Sequence, residues 1–513
     1  MARIAPLAAT FVAGVAAMTA SYAQGSESAE ARTRAALAKI EQLNPRVNAV
    51  LAVDPTAIAQ ARTLDRIRRA RGPLFGMPIL IKDNIETLGP LPTTAGSLAL
   101  AQNVTNRDAP LVAGLRAAGA VIIGKANLSE WANIRSNDSI SGWSAAGGQV
   151  RNPYALNRNP CGSSSGSGAA VAAGMVPAAI GTETDGSITC PAALNGIVGF
   201  KPTVGFVSRT HVVPISHSQD TPGPMTLNVR DAALIMNAIS GTDPADPATA
   251  EADRRRVDFT AGLHADALRG VRIGVMRFAG APGTEPAFEA ALAVLRAQGA
   301  TLIDIADAPA GGQERGRAEF AVLLAELKVD LNAYLATVPA AVRSRTLADL
   351  ITFNREHAST EMALFGQEVF EQAQRTTGLD EAYRTARATS LRLAGPEGID
   401  KMLHDHNVVA LVAPTRPAAW LIDAVHGDTS PGGGSAGSLA AVAGYPHLTV
   451  PMGRVRGLPV GISFIGTKWD DARILALGYA YEQASHQRFA PSFYPSIEES
   501  PDVAPHLRPA PRH

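Results

Sequence analysis

Three stretches of this 513-residue chain combine residue types that can act together on a carbonyl group. The first is Ile81-Lys82-Asp83-Asn84, where Lys82 follows an apolar run that draws its ammonium toward the interior. The chain contains seven Lys against 39 Arg, yet places Lys here. Arg does not deprotonate in a protein, whereas a buried Lys shifts its pKa readily. Work as a base near neutrality needs that pKa brought down to about 7–8, roughly 3–4 kcal/mol, which burial among hydroxyls can supply. A surface Lys at a strand end is the plain alternative. No Ser stands three residues before any Lys, so a Ser–Lys site of the β-lactamase type is not supported.

The second stretch is Cys161-Gly162-Ser163-Ser164-Ser165-Gly166-Ser167-Gly168. A flexible linker is disfavoured, because apolar sequence follows at once. An anion cradle at a helix N-terminus is open, although the Gly-Lys-Ser/Thr ending of a phosphate loop is missing. Gly162 to Gly166 formally fits G-x-S-x-G with Ser164 central, but that device needs an acid and a His downstream. None of the 11 His has a recognisable context. The third stretch, Gly181 to Pro191, is dense in turn formers. Ser187, preceded by Gly186, can sit on a tight bend with several N–H groups converging, as an oxyanion hole requires. An ordinary loop is the alternative.

The elements that must position these residues alternate in type. A helical region spans about 29–70, with Asn44-Pro45 breaking the run, and Arg68 to Arg71 reads as a solvated face. Gly76 to Ile81 reads as a buried strand, 112–118 as a helix and 121–124 as the next strand. A buried Ala/Val-rich helix is expected over 169–179. Residues 271–275, 286–298 and 301–305 form a strand–helix–strand unit, and 311–392 is mostly helical. Strands follow at 408–412, 448–451 and 460–464, with a flexible loop at 431–435. The tail from Pro491 holds six prolines and reads as surface coil. This alternation predicts an α/β fold with helices over a largely buried sheet. No linker separates the three stretches, so one large domain is expected over 24–513, with 245–400 a helix-rich elaboration and 491–513 a Pro-rich tail.

Composition narrows the function. Apolar residues make up 46% of the chain, enough for a large core. Lys+Arg and Asp+Glu are both 46, so no basic excess exists to hold a nucleic-acid backbone. Two Cys exclude a disulfide scaffold and any four-Cys metal site. Pairing of Cys161 with Cys190 needs Cα atoms within about 7 Å; two buried unpaired residues are the preferred reading. Residues 1–23 read as a cleaved export signal: Arg3, a small-apolar run from Ile4 to Ala20, then Ser21-Tyr22-Ala23. The expected compartment is periplasmic or extracellular. No stretch reaches membrane-spanning length.

In order and spacing, the three stretches resemble the amidase signature family, over about residues 30–490. Lys82-Asp83-Asn84 matches its catalytic-lysine motif, and Ser163 and Ser187 match its two catalytic serines. Gly196-Ile197-Val198-Gly199-Phe200-Lys201-Pro202-Thr203 is similar to its trailing strand motif, and Gly444-Tyr445-Pro446 through Gly466 to its C-terminal strand pair. Within the family, the runs 127–133, 136–144, 181–187 and 214–224 resemble the branch that removes C-terminal amide groups from peptides. Thr189 and Cys161 depart from the broader family, where Arg and Gly are common.

The resemblance implies a central twisted mixed β-sheet covered by helices on both faces. It also implies a Ser–Ser–Lys relay: Ser187 as nucleophile, Ser163 as bridge after a cis Gly162–Ser163 peptide bond, and Lys82 as base. The N–H groups of Thr184, Asp185, Gly186 and Ser187 would hold the oxyanion. Ser164 and Ser165 would support the loop, unless they merely solvate it, and Asn137 would line the substrate site. No metal or cofactor is expected. The implied substrate is a small-molecule or short-peptide amide, with water as acyl acceptor and the chain a monomer. Rival readings are an amidase for small aliphatic, aryl or acyl amides, the amidase-type component of a multi-subunit tRNA amidotransferase, and a non-catalytic peptide-binding protein.

Overall fold

The computed structural model describes residues 27–67, 72–432 and 436–507. The proposed export signal and the Arg68 to Arg71 run lie outside the described residues. So do the last part of the 431–435 loop and the end of the tail.

Eleven strands form one mixed sheet in the order β1-β3-β2-β4-β6-β5-β10-β11-β9-β7-β8. They are β1 (Val50–Val53), β2 (Pro78–Lys82), β3 (Val121–Ala126), β4 (Ala178–Glu183), β5 (Val198–Lys201), β6 (Thr221–Thr226), β7 (Arg272–Met276), β8 (Thr301–Ile305), β9 (Ala410–Pro414), β10 (His447–Val455) and β11 (Leu458–Ile465). β2 runs parallel to both β3 and β4, while β4–β6, β5–β10 and β10–β11 are antiparallel.

Both faces of the sheet are covered, and the strand period shows it. Ile79 and Ile81 of β2 join Ile122 and Ile180 in one apolar cluster, with helices α3 (Pro110–Ala117) and α6 (Val229–Ile239). Leu80 points the other way, into a cluster with Val121, Ile123 and Ala179. That second face is covered by α1 (Ala29–Val47), α2 (Ala57–Asp65), α4 (Ser165–Ala172) and α5 (Thr189–Leu194).

Several boundaries differ from the sequence expectation. The helical region over 29–70 is two helices separated by β1. Pro45 lies within α1, which ends instead at left-handed Asn48, whose N–H reaches Asn44 O at 2.7 Å. The expected helix over 169–179 is α4 followed by β4; Gly174, at φ 74°, turns the chain between them. Within the segment 245–400, β7 and β8 extend the main sheet, and the long helices start at Gly312.

β6 carries Pro222 and Pro224 inside a sheet. Its proline half pairs with β4 alone, since β5 meets it only at Val198↔Thr226 and Gly199↔Met225. A missing N–H is tolerated on such an open side.

Candidate active site

The site sits at the carboxyl ends of the parallel strands β2 and β4, where α/β sheets commonly place their chemistry. Lys82 is the last residue of β2 and is fully buried. Its Nζ lies 2.7 Å from Ser163 Oγ, 2.8 Å from Thr182 Oγ1 and 3.3 Å from Thr182 O. Asn84 Nδ2 donates to the same Thr182 hydroxyl at 3.0 Å. Burial brings the Lys82 ammonium down to about 7, against the opposing pull of Asp220 and Glu183. Lys82 forms no ion pair with a carboxylate among the described residues; its direct neighbours are hydroxyls and a carbonyl.

Ser163 follows a cis Gly162–Ser163 peptide bond at the entrance to α4. Ser164 Oγ donates to Thr182 O at 3.1 Å and accepts from Thr182 N at 3.2 Å, fastening the loop to β4. Ser165 Oγ donates to Cys161 O at 2.7 Å. Both side chains are buried and bonded, so loop solvation does not describe them.

β4 runs on into the turn Thr184-Asp185-Gly186-Ser187. Gly186 has φ 81°, a conformation that favours glycine. The Ser187 carbonyl accepts from Ser164 N at 3.1 Å, which ties the two serine loops together. The N–H groups of Asp185, Gly186 and Ser187 donate to no acceptor among the described residues. Glu183, which the sequence did not single out, holds the far side of the turn. Its Oε2 accepts from Ile188 N and Thr189 N at 2.8 and 2.9 Å. Thr189 Oγ1 adds a third bond at 3.2 Å, which gives a use to the residue that departs from the broader family pattern.

Ser187, Gly186, Asp185 and Thr184 all line a cavity of about 320 Å³. Lys82 and Ser163 do not; they lie behind its wall, with Ser187 8% exposed in front of them. Among the described residues, no histidine lines this cavity. Asn137 does not line it either. Its side chain is exposed and its N–H goes to Glu368 Oε1 at 2.5 Å, while its neighbours Asn133, Ile134 and Ser141 reach the cavity.

Cys161 and Cys190 also line the cavity, and they are joined in a disulfide with Cα atoms 5.9 Å apart. This corrects the expectation of two unpaired residues. Sequence could not give the distance: α4 and α5 both start at the site, which brings Cys161, in the loop before α4, against Cys190, in the first turn of α5.

Residues 31–475 match the family model described as Amidase. The chain belongs to the amidase family. It is similar to peptide amidase from Stenotrophomonas maltophilia, at 50% identity and a TM-score of 0.86, covering 91% of this chain and 96% of that one. A peptide amidase solved with the competitive inhibitor chymostatin superposes at a TM-score of 0.87, also at 50% identity, with 91% and 96% covered. A probable amidase from Arabidopsis thaliana is 40% identical over 89% of this chain and 87% of its own length. This amidase is therefore an amide-hydrolysing enzyme on a single large α/β domain.

Proposed function

We propose that this amidase releases ammonia from the C-terminal amides of short peptides, through an acyl-enzyme on Ser187. One observation carries the mechanism: a buried lysine held near neutrality, 2.7 Å from a serine, behind the cavity wall that presents Ser187. Ser187 Oγ attacks the amide carbonyl and passes its proton to Ser163 Oγ, which passes its own to neutral Lys82 Nζ. Ser163 bridges because a hydroxyl both donates and accepts. The carbonyl oxygen takes up negative charge facing the unpaired N–H groups of the 184–187 turn. The relay then returns the proton to the leaving nitrogen, ammonia departs, and water hydrolyses the ester by the same route. Similarity to peptide amidases at 50% identity supports the peptide-amide substrate over small aliphatic or aryl amides. The reading also includes export after loss of residues 1–23 and action as a single chain without nucleic acid, membrane, metal or cofactor.

The test is ammonia release from an amidated dipeptide by wild type and by Lys82→Ala, Ser163→Ala and Ser187→Ala. Each variant is expected to lose at least about 10²-fold in kcat. Near wild-type turnover by Ser187→Ala sinks the assignment of the nucleophile. Turnover of acetamide or an anilide but of no peptide amide moves the substrate to the small-amide class. Activity that needs further protein components points to the amidotransferase type.

A further inference from the structure

The cavity contains a cation that the reaction scheme above does not use. Arg416 follows β9, lines the cavity beside Ser187 and is only partly buried. Its Nη2 lies 3.2 Å from the point a Cβ on Gly186 would occupy, so the guanidinium stands against the oxyanion turn. It forms no hydrogen bond and no ion pair among the described residues, whereas other arginines of this chain, such as Arg209 and Arg107, hold carboxylates. Two acids share the cavity. Asp428 is spent: it accepts from Ser141 N and Oγ, Asn159 Nδ2 and Trp420 Nε1. Asp185 is near enough to feel Arg416 but makes no direct pair with it, and burial pushes its carboxyl up toward the neutral form. Burial likewise pushes the carboxyl of neighbouring Glu319 up to about 8. Among the described residues, Arg416 is therefore the cavity-lining cation that no carboxylate pairs.

An unpaired guanidinium in a partly enclosed cavity is a ready partner for a carboxylate, because its planar donors match two oxygens at once. Its place beside Gly186 sets it within a few bonds of the attacked carbonyl. We propose that Arg416 selects amides whose acyl half carries a carboxylate near the scissile bond, such as peptides ending in an amidated Glu or Asp. This rests on the peptide-amide reading and names the substrate class of the same site.

The test compares kcat/KM for acetylated dipeptide amides ending in Glu, Gln or Lys, in wild type, Arg416→Gln and Arg416→Glu. Wild type is expected to favour the Glu amide over the Lys amide by about tenfold or more. That ratio should collapse in Arg416→Gln and invert in Arg416→Glu. A ratio common to all three proteins overturns the proposal. A second measurement needs no turnover: protection of Ser187 from a fluorophosphonate probe by glutarate and by uncharged glutaramide. Glutarate should protect wild type at the lower concentration, and lose that advantage in Arg416→Gln. Equal protection in wild type rejects the role of Arg416. If glutarate does protect but no peptide amide is hydrolysed, the peptide reading fails while the carboxylate preference stands.

Discussion

Lys82 and Lys125 are both fully buried, and their surroundings separate them. Lys125 Nζ lies 3.4 Å from Asp83 Oδ1 and donates to Ile85 O and Thr93 Oγ1 at 2.6 and 2.8 Å. Lys82 has two hydroxyls and one carbonyl, with no carboxylate in contact among the described residues, and burial brings it down to about 7. In the proposed relay the competent form is the neutral amine, so activity should rise with pH as Lys82 loses its proton. We expect kcat/KM to show a rising limb centred near 7. The Thr182 hydroxyl accepts from Nζ and thereby favours the charged form. Thr182→Val should therefore move the limb to lower pH, while kcat falls about tenfold as Nζ loses a positioning partner. A pH–rate series on both proteins checks this, and an unmoved limb would show that another group titrates. At this scale the sequence was most legible: Lys82, Ser163 and Ser187 lie in segments whose composition marks them. Thr182 and Glu183 were not legible, because an isolated Thr or Glu after an apolar run carries no signal until the strand pairing is known.

The elements explain why the two serine loops meet. β2 and β4 are parallel neighbours, so their carboxyl ends deliver Lys82 and the 184–187 turn to the same edge. The turn is held by Glu183, whose carboxylate receives two N–H groups from the start of α5. Glu183→Ala leaves both buried donors without their acceptor and should cost roughly 2–4 kcal/mol, read by urea denaturation. It should also lower kcat, since Ser187 lies between Glu183 and the donors it fixes. Full stability in the variant would mean that another acceptor replaces the carboxylate. β4 is also where sequence reading failed. Ala178-Ala179-Ile180-Gly181 is buried on both faces, and such a short apolar run fits strand or helix equally well. The Ala-rich stretch before it favoured helix, and the left-handed turn at Gly174 was the overlooked boundary. β6 was hidden for the opposite reason: two prolines argue against a strand, and only its one-sided pairing permits them.

For the whole molecule, compartment and site architecture meet at the disulfide. Cys161 lies two residues before Ser163, and Cys190 three after Ser187, so the bridge ties the Ser163 loop to the first turn of α5 at the cavity wall. It closes a loop with a sequence separation of 29, which in the chain-entropy account stabilises the fold by about 3.6 kcal/mol. Disulfides persist in oxidising compartments and are rare in a reducing cytosol, so the bridge and the proposed export can be tested together. Chain produced with its own N-terminus and recovered outside the cytosol should begin near residue 24 and show no titratable thiol until it is denatured and reduced. Chain lacking residues 1–23, made in a reducing cytosol, should show two thiols on unfolding. Its stability should be lower by about 3.6 kcal/mol in urea, and its labelling by a fluorophosphonate slower, because the loop that carries Ser163 is no longer tied to the start of α5. If the reduced chain matches the oxidised one in stability and labelling rate, the bridge only decorates a site that packing already fixes. If the exported protein keeps Met1, the N-terminal segment is not a cleaved signal, and the oxidising compartment loses its sequence support.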